Sequence, residues 1–447
     1  MTILNIIIHG DSLKIIIEVI DRVISIIIFC FYLFLFIFFS FIINEIDYNS
    51  KNTVSILRLN PTCCKDIKNK GIMNHLYQLN YDAYFFKYYE AHIFCDKTKK
   101  FILKNNITVI EFGKNRYKLL NRLGFKFTDH ILNEIKTTFE LKELAIKQNI
   151  DIILSQEPYF NGIRALIIRA ITKKPYIENV ICDYDLSFKS TGKPAYPKLK
   201  YRKIEKIIER IVFKNADLVF GGNDHLTEYA IRNGANKNRT FTVRDIGIGE
   251  KHFLPLNERK NIKEELNLVS KKAILYCGRL HKEKYVEDVI RAFEIVSKEV
   301  PDSVLLLAGD GEQREYLEEI IKSLNLKNVI FLGFKPQEYI FNLMYSVDLI
   351  VSPLTGSSLV EAALSSTPIV AYDVEWHSEL IKDGKTGRLV KFRDYEEMAN
   401  AMIEILNNPG LNYGENARKL AIEMFSLEKT LEQRKMLIDK LLSGEFN

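Results

Sequence analysis

Short apolar segments alternate with amphipathic segments along the chain from residue 50 onward. The apolar segments are rich in valine and isoleucine and are predicted to be strands, at 54–60, 91–95, 108–113, 151–157, 176–182 and 217–223. Between them, the segments 129–148 and 198–214 repeat apolar residues with the period of a helix. Strands that are apolar almost throughout are typical of parallel sheets covered by helices on both faces. The pattern therefore predicts an α/β fold with doubly wound sheets.

A second series of the same kind follows a polar, glycine-containing segment at 244–271. Strands are predicted at 272–279, 303–311, 328–334, 348–353 and 368–373. Helices are predicted at 285–299, 312–324, 337–346, 357–366 and 395–407. A chain with two such series is too long for one core. We therefore expect two Rossmann-like domains, at 51–250 and 251–424.

The N-terminal segment 1–50 has a different pattern. Residues 23–43 contain no charge, glycine or proline. As a helix they would extend roughly 31 Å at about 1.5 Å per residue, which matches the hydrocarbon core of a bilayer. A signal peptide is disfavoured because the following NEIDYN offers no small-residue cleavage site, and a core helix because the segment is apolar on every face. This pattern predicts a transmembrane helix at 23–43.

Composition and charge exclude several classes of protein. The chain has 447 residues, of which 47% are hydrophobic and 27% charged, so a disordered chain and a small disulfide scaffold are excluded. The net charge of +6 is too small to indicate nucleic acid as a partner. Without a CxxC spacing, the cysteines are expected to be reduced thiols rather than bridges or zinc ligands. They lie at positions 30, 63, 64, 95, 182 and 277.

The second series carries residues suited to a diphosphate. Gly278 and Arg279 follow a predicted strand, and Lys284 lies on the turn into the next helix. Two cations beside a helix N-terminus favour binding of a diphosphate. Gly309 and Gly311 occupy the next strand-to-helix turn, where a missing side chain would let a ligand approach closely. A solvated basic turn and an ordinary tight turn remain the alternatives.

A third strand-to-helix turn contains a Gly-Ser-Ser sequence. The backbone amides of Gly356, Ser357, Ser358 and Leu359 would open a helix and contact phosphate oxygens. Glu361, one turn further along, could accept hydrogen bonds from ribose hydroxyls. The same stretch fits the pattern S-x-x-E, so a capping box is an equally good interpretation of Glu361.

Six motifs in this order resemble the C-terminal half of glycosyltransferase family 4, the group 1 glycosyltransferases. They are GRLHKEK, LLAGDGEQREYLEE, VIFLGFKPQE, DLIVSP, GSSLVEAALSSTPIVAYD and DGKTGRLV, and the resemblance covers residues 272–410. It implies a GT-B fold, with two Rossmann-like domains facing a cleft, and retaining transfer from a nucleotide sugar. It further implies that Arg279 and Lys284 are catalytic residues that hold the donor diphosphate and stabilise the leaving nucleotide. Glu361 would bind the nucleotide ribose, and Gly333 and Phe334 would flank the base.

The resemblance is thinner outside this region. Residues 54–250 look like the acceptor half, with Gly71 in the first strand-to-helix loop. The tail 425–447 resembles the family's last helix, which returns to pack on the first domain.

One position departs from the family pattern. The family usually carries two glutamates eight residues apart, the first of which contacts the donor sugar. Here the second is Glu361, and Pro353 stands eight residues before it. A contact to the sugar would then come from Thr355 or Ser357, or be absent.

Two further positions are candidates for chemistry. Asp183 and Asp185 form a D-x-D pattern, which chelates a metal in the other large glycosyltransferase fold. Because the pattern lies outside the nucleotide half and arises readily by chance, no metal site is expected. Asp183 follows a predicted strand and is a candidate acceptor-side group. His377 also follows a strand end and is interpreted as a histidine of a surface loop.

The first domain contains a basic stretch. Residues 97–126 hold nine lysines and arginines against the single acid Glu111. Such a stretch suits an anionic bilayer surface or a lipid-phosphate acceptor. A solvated helix face is an equally good interpretation.

These features together predict a single-pass membrane glycosyltransferase. Because nucleotide sugars are made in the cytosol, both domains are expected on the cytoplasmic side. The donor would be a UDP- or GDP-sugar, the acceptor a lipid-linked or other glycan, and neither a metal nor a further cofactor is expected. The alternatives are a nucleotide-sugar epimerase or hydrolase on the same fold, and a non-catalytic nucleotide-sugar-binding subunit.

Overall fold

The chain folds into two α/β domains preceded by a long helix. The computed structural model describes residues 2–42, 54–65, 86–104, 106–114, 117–196, 201–244 and 259–446. The two-sheet α/β architecture expected from the alternating pattern is present.

The first domain contains an eight-stranded sheet with the order β3-β4-β2-β1-β5-β6-β7-β8. Its strands are β1 (Val54–Asn60), β2 (Phe86–Cys95), β3 (Lys99–Lys104), β4 (Ile107–Gly113), β5 (Ile152–Ser155), β6 (Tyr176–Val180), β7 (Leu218–Gly221) and β8 (Thr240–Thr242). The helices up to this point are α1 (Thr2–Ile42), α2 (Lys118–Arg122), α3 (Lys126–Lys147), α4 (Phe160–Thr172), α5 (Tyr184–Thr191), α6 (Arg202–Asn215) and α7 (Asp224–Arg232).

The second domain contains a six-stranded parallel sheet with the order β11-β10-β9-β12-β13-β14. Its strands are β9 (Lys272–Cys277), β10 (Ser303–Ala308), β11 (Val329–Gly333), β12 (Leu349–Ser352), β13 (Ile369–Tyr372) and β14 (Arg388–Val390). The helices are α8 (Ile262–Glu265), α9 (Val286–Glu299), α10 (Arg314–Ser323), α11 (Gln337–Ser346), α12 (Ser357–Leu364), α13 (His377–Leu380), α14 (Tyr395–Asn407), α15 (Tyr413–Met424) and α16 (Leu427–Leu442).

Both faces of the second sheet are buried, which explains its uninterrupted apolar strands. Along β9, Leu275 faces one hydrophobic cluster and Ile274 faces another, because successive side chains point to opposite faces of a strand. The strand order reverses between β9 and β12. In sheets of this kind, ligands bind beyond the carboxyl ends of the strands at such a reversal. This places the ends of β9 and β12 at the expected binding crevice.

The edge strand β3 departs from the all-parallel sheet that the sequence predicts. It runs antiparallel to β4, with Lys99 opposite Glu111. Its sequence, KKFILK, has lysines at both ends. Charged residues on an edge strand discourage pairing with another chain. They also interrupt the apolar pattern by which a strand is recognised in the sequence.

Helix α1 packs along the first domain. The Asp21 carboxylate accepts hydrogen bonds from the backbone N–H groups of Phe127 and Thr128, at 2.8 and 2.9 Å. Tyr32 is buried, and its hydroxyl lies 2.8 Å from that of Thr138. These contacts attach one side of α1 to the start and middle of α3.

The prediction of a membrane anchor is therefore wrong. Among the described residues, no helix has both the length and the apolar character needed to cross a bilayer. Residues 23–42 belong instead to α1, whose buried side includes Ser25 and Tyr32. The expected single-pass topology, with both domains on the cytoplasmic side, is wrong for the same reason.

The last helix, α16, packs on the first domain. Leu437, Ile438 and Leu441 join the hydrophobic cluster that contains Ile56 of β1 and Leu154 of β5. Nearby, the Gln433 side-chain amide donates a hydrogen bond to the backbone carbonyl of Thr242, at 3.0 Å. Residues distant in sequence thus complete one face of the first sheet.

Candidate functional site

A cavity of about 330 Å³ lies between the two domains, beyond the carboxyl ends of their strands. The first domain contributes residues that follow β6 and β7, including Asp183 and Asn223. The second contributes residues that follow β9, β12 and β13: Arg279, Glu283, Lys284, Leu354, Thr355, Gly356, Ser357, Glu375 and Trp376. The structure therefore brings Arg279, Lys284, Asp183 and the 355–357 turn together around one space.

The two predicted cations lie on the loop between β9 and α9. Lys282–Lys284 form a single 3-10 turn, and Tyr285 then adopts a left-handed conformation before α9 begins. The Arg279 guanidinium is largely exposed and donates to the Glu283 carboxylate at 3.0 Å. Burial lowers the pKa of Lys284. A half-buried ammonium group in a cleft is a favourable partner for an anionic ligand, because the ligand's charge replaces the hydration that burial removes from the ammonium group.

His377 contacts the 353–356 loop at Thr355. This side chain is fully buried, with Nδ1 3.0 Å from the Tyr372 carbonyl oxygen and Nε2 within 3.4 Å of the Thr355 backbone nitrogen. Burial lowers the pKa of His377 to about 4. Nε2 also lies 3.1 Å from the Thr355 carbonyl oxygen, so the neutral ring can donate either to this oxygen or, from Nδ1, to that of Tyr372. In both cases it joins the end of β13 to the loop. The interpretation of His377 as a surface histidine is wrong, because sequence does not reveal this packing.

Thr355 and Ser357 both line the cavity, one from the loop and the other from the start of α12. The Thr355 side chain is buried, and its hydroxyl lies 2.8 Å from that of Ser352. Gly356 precedes α12, which begins at Ser357. The first amides of a helix have no partner within the helix, so this turn presents donors at the cavity wall.

Glu361 does not form the capping box that S-x-x-E allows. Gly356 is the N-cap of α12, no side chain caps the helix, and Ser358 lies inside it. The Glu361 carboxylate instead accepts a hydrogen bond from the Gln337 side-chain amide, at 3.2 Å. The alternative interpretation is thus excluded, and contact with a ribose stays a prediction.

Gly309 and Gly311, which follow β10, are required by close packing of the backbone. A Cβ atom on Gly309 would lie 1.9 Å from the Gly278 carbonyl oxygen, and one on Gly311 would lie 2.3 Å from that of Leu280. Gly309 also has φ +137°. The loops after β9 and β10 therefore touch backbone to backbone, which only glycine permits. These glycines support the loop that carries Arg279, and their contact with a ligand stays a prediction.

Gly333 and Phe334 lie at the end of β11. Gly333 has φ +66°, and its carbonyl accepts a hydrogen bond from the Gly309 N–H at 3.0 Å. The Phe334 side chain is 62% exposed. An exposed aromatic ring beside two glycine loops suits stacking on a base. Their predicted role beside the nucleotide base is untested.

Asp183 and Asp185 have separate partners. Asp183 caps the N-terminus of α5 and accepts a hydrogen bond from His225 Nε2 at 2.9 Å. Burial raises the pKa of Asp183, but the hydrogen bonds from His225 and from the Leu186 backbone N–H, together with the charge of His225, lower it below its ordinary value. The bond to Asp183 also raises the pKa of His225. Asp185 pairs instead with Arg202, at 2.8 Å, and with Lys206. Within the described ranges, no cluster of three or more acidic, histidine or cysteine side chains is placed to hold a metal.

The two domains are bridged beside the cavity. The Glu379 carboxylate of α13 accepts hydrogen bonds from the backbone N–H groups of Asp224 and His225, at 3.1 and 3.0 Å. Arg244 pairs with both Glu379 and Asp224. A carboxylate from the second domain thus occupies the N-terminus of α7, where a negative charge is stabilised.

Sequence reasoning missed several cavity residues. Glu375 and Trp376 follow β13 directly, so a search of all strand ends would have found them. The contribution of Asn223 depends on how the two domains face each other, which no local pattern indicates. Gly71, the other predicted acceptor-side residue, lies outside the described residues.

Comparison with known proteins identifies the second domain. Residues 258–422 match the family model of the group 1 glycosyl transferases. The second domain is a group 1 glycosyltransferase domain. The chain is thus a glycosyltransferase, and the resemblance seen in the six motifs is confirmed.

Two relatives match different lengths of this glycosyltransferase. An uncharacterised glycosyltransferase of Methanocaldococcus jannaschii is 24% identical over 371 residues, which cover 79% of this chain and 91% of the relative. The alpha-D-kanosaminyltransferase of Streptomyces kanamyceticus is 32% identical over 182 residues, 39% of this chain and 47% of the relative. The second match thus extends over less than half of each chain.

Solved structures support the fold of the glycosyltransferase. Sucrose-phosphate synthase from Thermosynechococcus elongatus has a TM-score of 0.69 and 19% identity, over 88% of this chain and all of that one. HepE of Anabaena, in complex with UDP and glucose, has a TM-score of 0.63 and 18% identity, over 87% of this chain and all of that one. At these identities the likeness establishes the two-domain fold alone.

Proposed function

We propose that this glycosyltransferase moves a sugar from a UDP- or GDP-sugar to a hydroxyl group of a glycan or lipid-linked acceptor, with retention and without a metal. The observation that carries the proposal is the position of Lys284 and Arg279 on the cavity wall, beside the N-terminus of α12. Cations and helix amides together suit a diphosphate. HepE, whose structure is described with UDP and glucose, has the same fold.

The reaction breaks the bond between the sugar C1 and the β-phosphate oxygen, and the electron pair leaves with the phosphate. Negative charge therefore grows on the diphosphate as the bond breaks. Lys284 and Arg279 would stabilise that charge more strongly in the transition state than in the ground state, which lowers the barrier. In retaining transfer, the acceptor hydroxyl bonds to C1 on the face that the phosphate leaves, and its proton goes to the departing phosphate oxygen.

Metal-free transfer is supported by the charges of this site. The two cations can neutralise a diphosphate, a task that a divalent ion performs elsewhere. The carboxylates of the D-x-D pattern are engaged by His225 and by Arg202 with Lys206. We therefore expect the donor itself to be the only small molecule that the reaction needs, with no cofactor.

Retention is supported by the family resemblance and by one relative. The name of the Streptomyces enzyme specifies an α-D-sugar. A glycan acceptor is supported by a poly(ribitol-phosphate) alpha-N-acetylglucosaminyltransferase of Staphylococcus aureus, which is 28% identical over 170 residues. The lysines of β3 give the first domain a basic edge that suits a phosphate-bearing acceptor.

A donor panel tests the proposal. The full chain is incubated with UDP- and GDP-sugars and with glycan and lipid extracts, with and without EDTA, and the product is examined by NMR. We expect turnover with at least one donor, no effect of EDTA, and a product with the anomeric configuration of the donor. Loss of turnover in EDTA contradicts the metal-free proposal. An inverted product contradicts retention and favours the His225–Asp183 pair as a general base.

A further inference from the structure

Glu375 has a strained backbone at the cavity wall. It follows β13 and has φ +51°, in the left-handed region that favours glycine. A non-glycine residue in this region is strained and persists only where its surroundings hold it. Here the next two residues, Trp376 and His377, are buried and fix the backbone. The fold thus supports a side chain where glycine would be unstrained.

The Glu375 carboxylate has no direct partner. Among the described residues, none donates a hydrogen bond to it or pairs with it within 4 Å, although it is only partly exposed. The charged and titratable groups around it are Lys284, Glu283, Tyr285, Cys182, Asp183 and His225. They come from both domains, so the carboxylate lies between the diphosphate cations and the acceptor side. Burial raises the pKa of Glu375, as expected for a carboxylate without a donor.

The position of the carboxylate matches that of the transferred sugar. In a nucleotide sugar the sugar is bonded to the β-phosphate. If Lys284 and Arg279 hold the diphosphate, the sugar must lie beside them, toward the first domain. Glu375 lines this part of the cavity together with Asp183 and Lys284. A carboxylate with free oxygens accepts hydrogen bonds from two neighbouring hydroxyls of a hexose.

We propose that Glu375 is a specificity-determining residue that binds hydroxyl groups of the donor sugar. This inference rests on the proposed function. It assigns the sugar contact to a residue outside the 353–361 segment. Thr355, one of the two candidates within that segment, already has its hydroxyl bonded to Ser352. Ser357, the second candidate, is the first residue of α12. Pro353 has no polar side chain to offer.

The test separates the sugar from the nucleotide. Calorimetry with the full chain measures the affinity of UDP and of UDP-glucose, and then of GDP and GDP-mannose. For Glu375→Gly we expect the affinity for the nucleotide sugar to fall about tenfold and that for the free nucleotide to change less than twofold. Glycine also relieves the left-handed strain, so its melting temperature should equal or exceed that of the wild type. Glu375→Gln should keep part of the sugar affinity.

The matched control replaces a glutamate that does not line the cavity. Glu319→Ala alters an exposed glutamate of α10 and should change neither affinity. If the wild type binds a nucleotide sugar and Glu375→Gly binds it equally well, the inference is overturned and the proposed function stands. An equal loss of nucleotide and nucleotide-sugar affinity, or a change only in the KM for the acceptor, also overturns it. If the wild type binds no nucleotide sugar, the proposed function fails and the inference with it.

Discussion

The Glu379 carboxylate, in the second domain, accepts a hydrogen bond from the backbone N–H of His225, in the first domain, at 3.0 Å. Arg244 pairs with the same carboxylate. Both contacts lie beside the cavity, and His225 also bonds to the cavity residue Asp183. The relative position of the two domains and the shape of the acceptor side are therefore linked through one carboxylate.

Removing this bridge should impair transfer more than donor binding. Glu379→Ala deletes charged hydrogen bonds worth about 1.5–3 kcal/mol, so we expect roughly a tenfold or larger fall in kcat. Nucleotide affinity should be unchanged, because the expected donor contacts all lie in the second domain. Small-angle scattering should register a larger radius of gyration. Glu379→Gln keeps one acceptor oxygen and should be intermediate. Unchanged kcat and radius in Glu379→Ala would refute the bridge.

Replacing the cations should slow the chemical step. Lys284→Ala and Arg279→Ala each remove a charge that the proposed function assigns to the diphosphate. We expect kcat to fall about a hundredfold, or about 3 kcal/mol, as for loss of one oxyanion donor. Lys282→Ala is the matched control, since Lys282 lies on the same turn, is exposed and does not line the cavity. Wild-type kinetics in both cation variants would contradict the donor-site assignment.

Glycine 309 should be essential for stability. Gly309→Ala places a Cβ atom 1.9 Å from a backbone oxygen at a positive φ, so we expect a loss of about 3 kcal/mol or more. Gly410→Ala is the matched control, because a Cβ atom there meets nothing within 4 Å. Its expected change is below about 0.5 kcal/mol. Urea denaturation measures both, and equal stability of the two variants would contradict the backbone contact between the loops.

Stability should fall in mild acid because of His377. Burial lowers the pKa of His377 from 6.5 to about 4, so between these values the unfolded chain binds a proton that the folded chain does not. This contribution is complete above pH 6.5 and is lost as the pH falls toward 4, with a total of about 3 kcal/mol. His377→Gln should abolish this part of the pH dependence, whereas His281→Gln, on a more exposed histidine, should retain it. Identical profiles for wild type and His377→Gln would contradict the assignment.

Asp21 should stabilise the first domain. Its carboxylate occupies the N-terminus of α3 and accepts two backbone hydrogen bonds, so Asp21→Ala should cost about 1–2 kcal/mol, like the loss of an N-cap. Glu18→Ala, which breaks an exposed pair with Arg22, should cost less than about 0.5 kcal/mol. Denaturation curves compare the two. An unaffected Asp21→Ala variant would mean that α1 does not support the domain.

The strands of the second domain could be predicted closely because its sheet is buried on both faces. Each strand from β9 to β13 contains an uninterrupted apolar run, and β9, β10 and β12 begin within one residue of the predicted positions. The short strand β14, RLV, has no such run and is not among the predicted strands. The edge strand β3 could not be found, because its lysines break the apolar pattern.

The absence of charged residues from 23–43 is misleading for helix α1 because it says nothing about the direction of the side chains. Asp21, Ser25 and Tyr32 are buried, and their spacing of four and seven places them on one helix face. The apolar residues around them, such as Ile16, Val23 and Ile27, are exposed. A count of charged residues in the segment does not reveal which face of the helix is buried.

Part of the site could be predicted, because some of its residues lie close together in short sequence motifs. Arg279, Lys284 and the 355–357 turn follow strands and belong to recognisable motifs. Glu375 depends on a backbone angle and on a cavity between domains. The burial of His377 depends on the path of the 353–356 loop. Both are properties of the folded chain and leave no pattern among neighbouring residues.

The packing of α16 on β1 has a consequence for synthesis on the ribosome. Ile438 completes the cluster around Ile56, but it is made about 380 residues later. At about 5–20 residues per second, the interval is roughly 20–80 s. During that time one face of the first sheet has no cover from α16, while the second domain is made in full. The nascent chain therefore presents an apolar surface that chaperones recognise, and its first domain is the last to be finished.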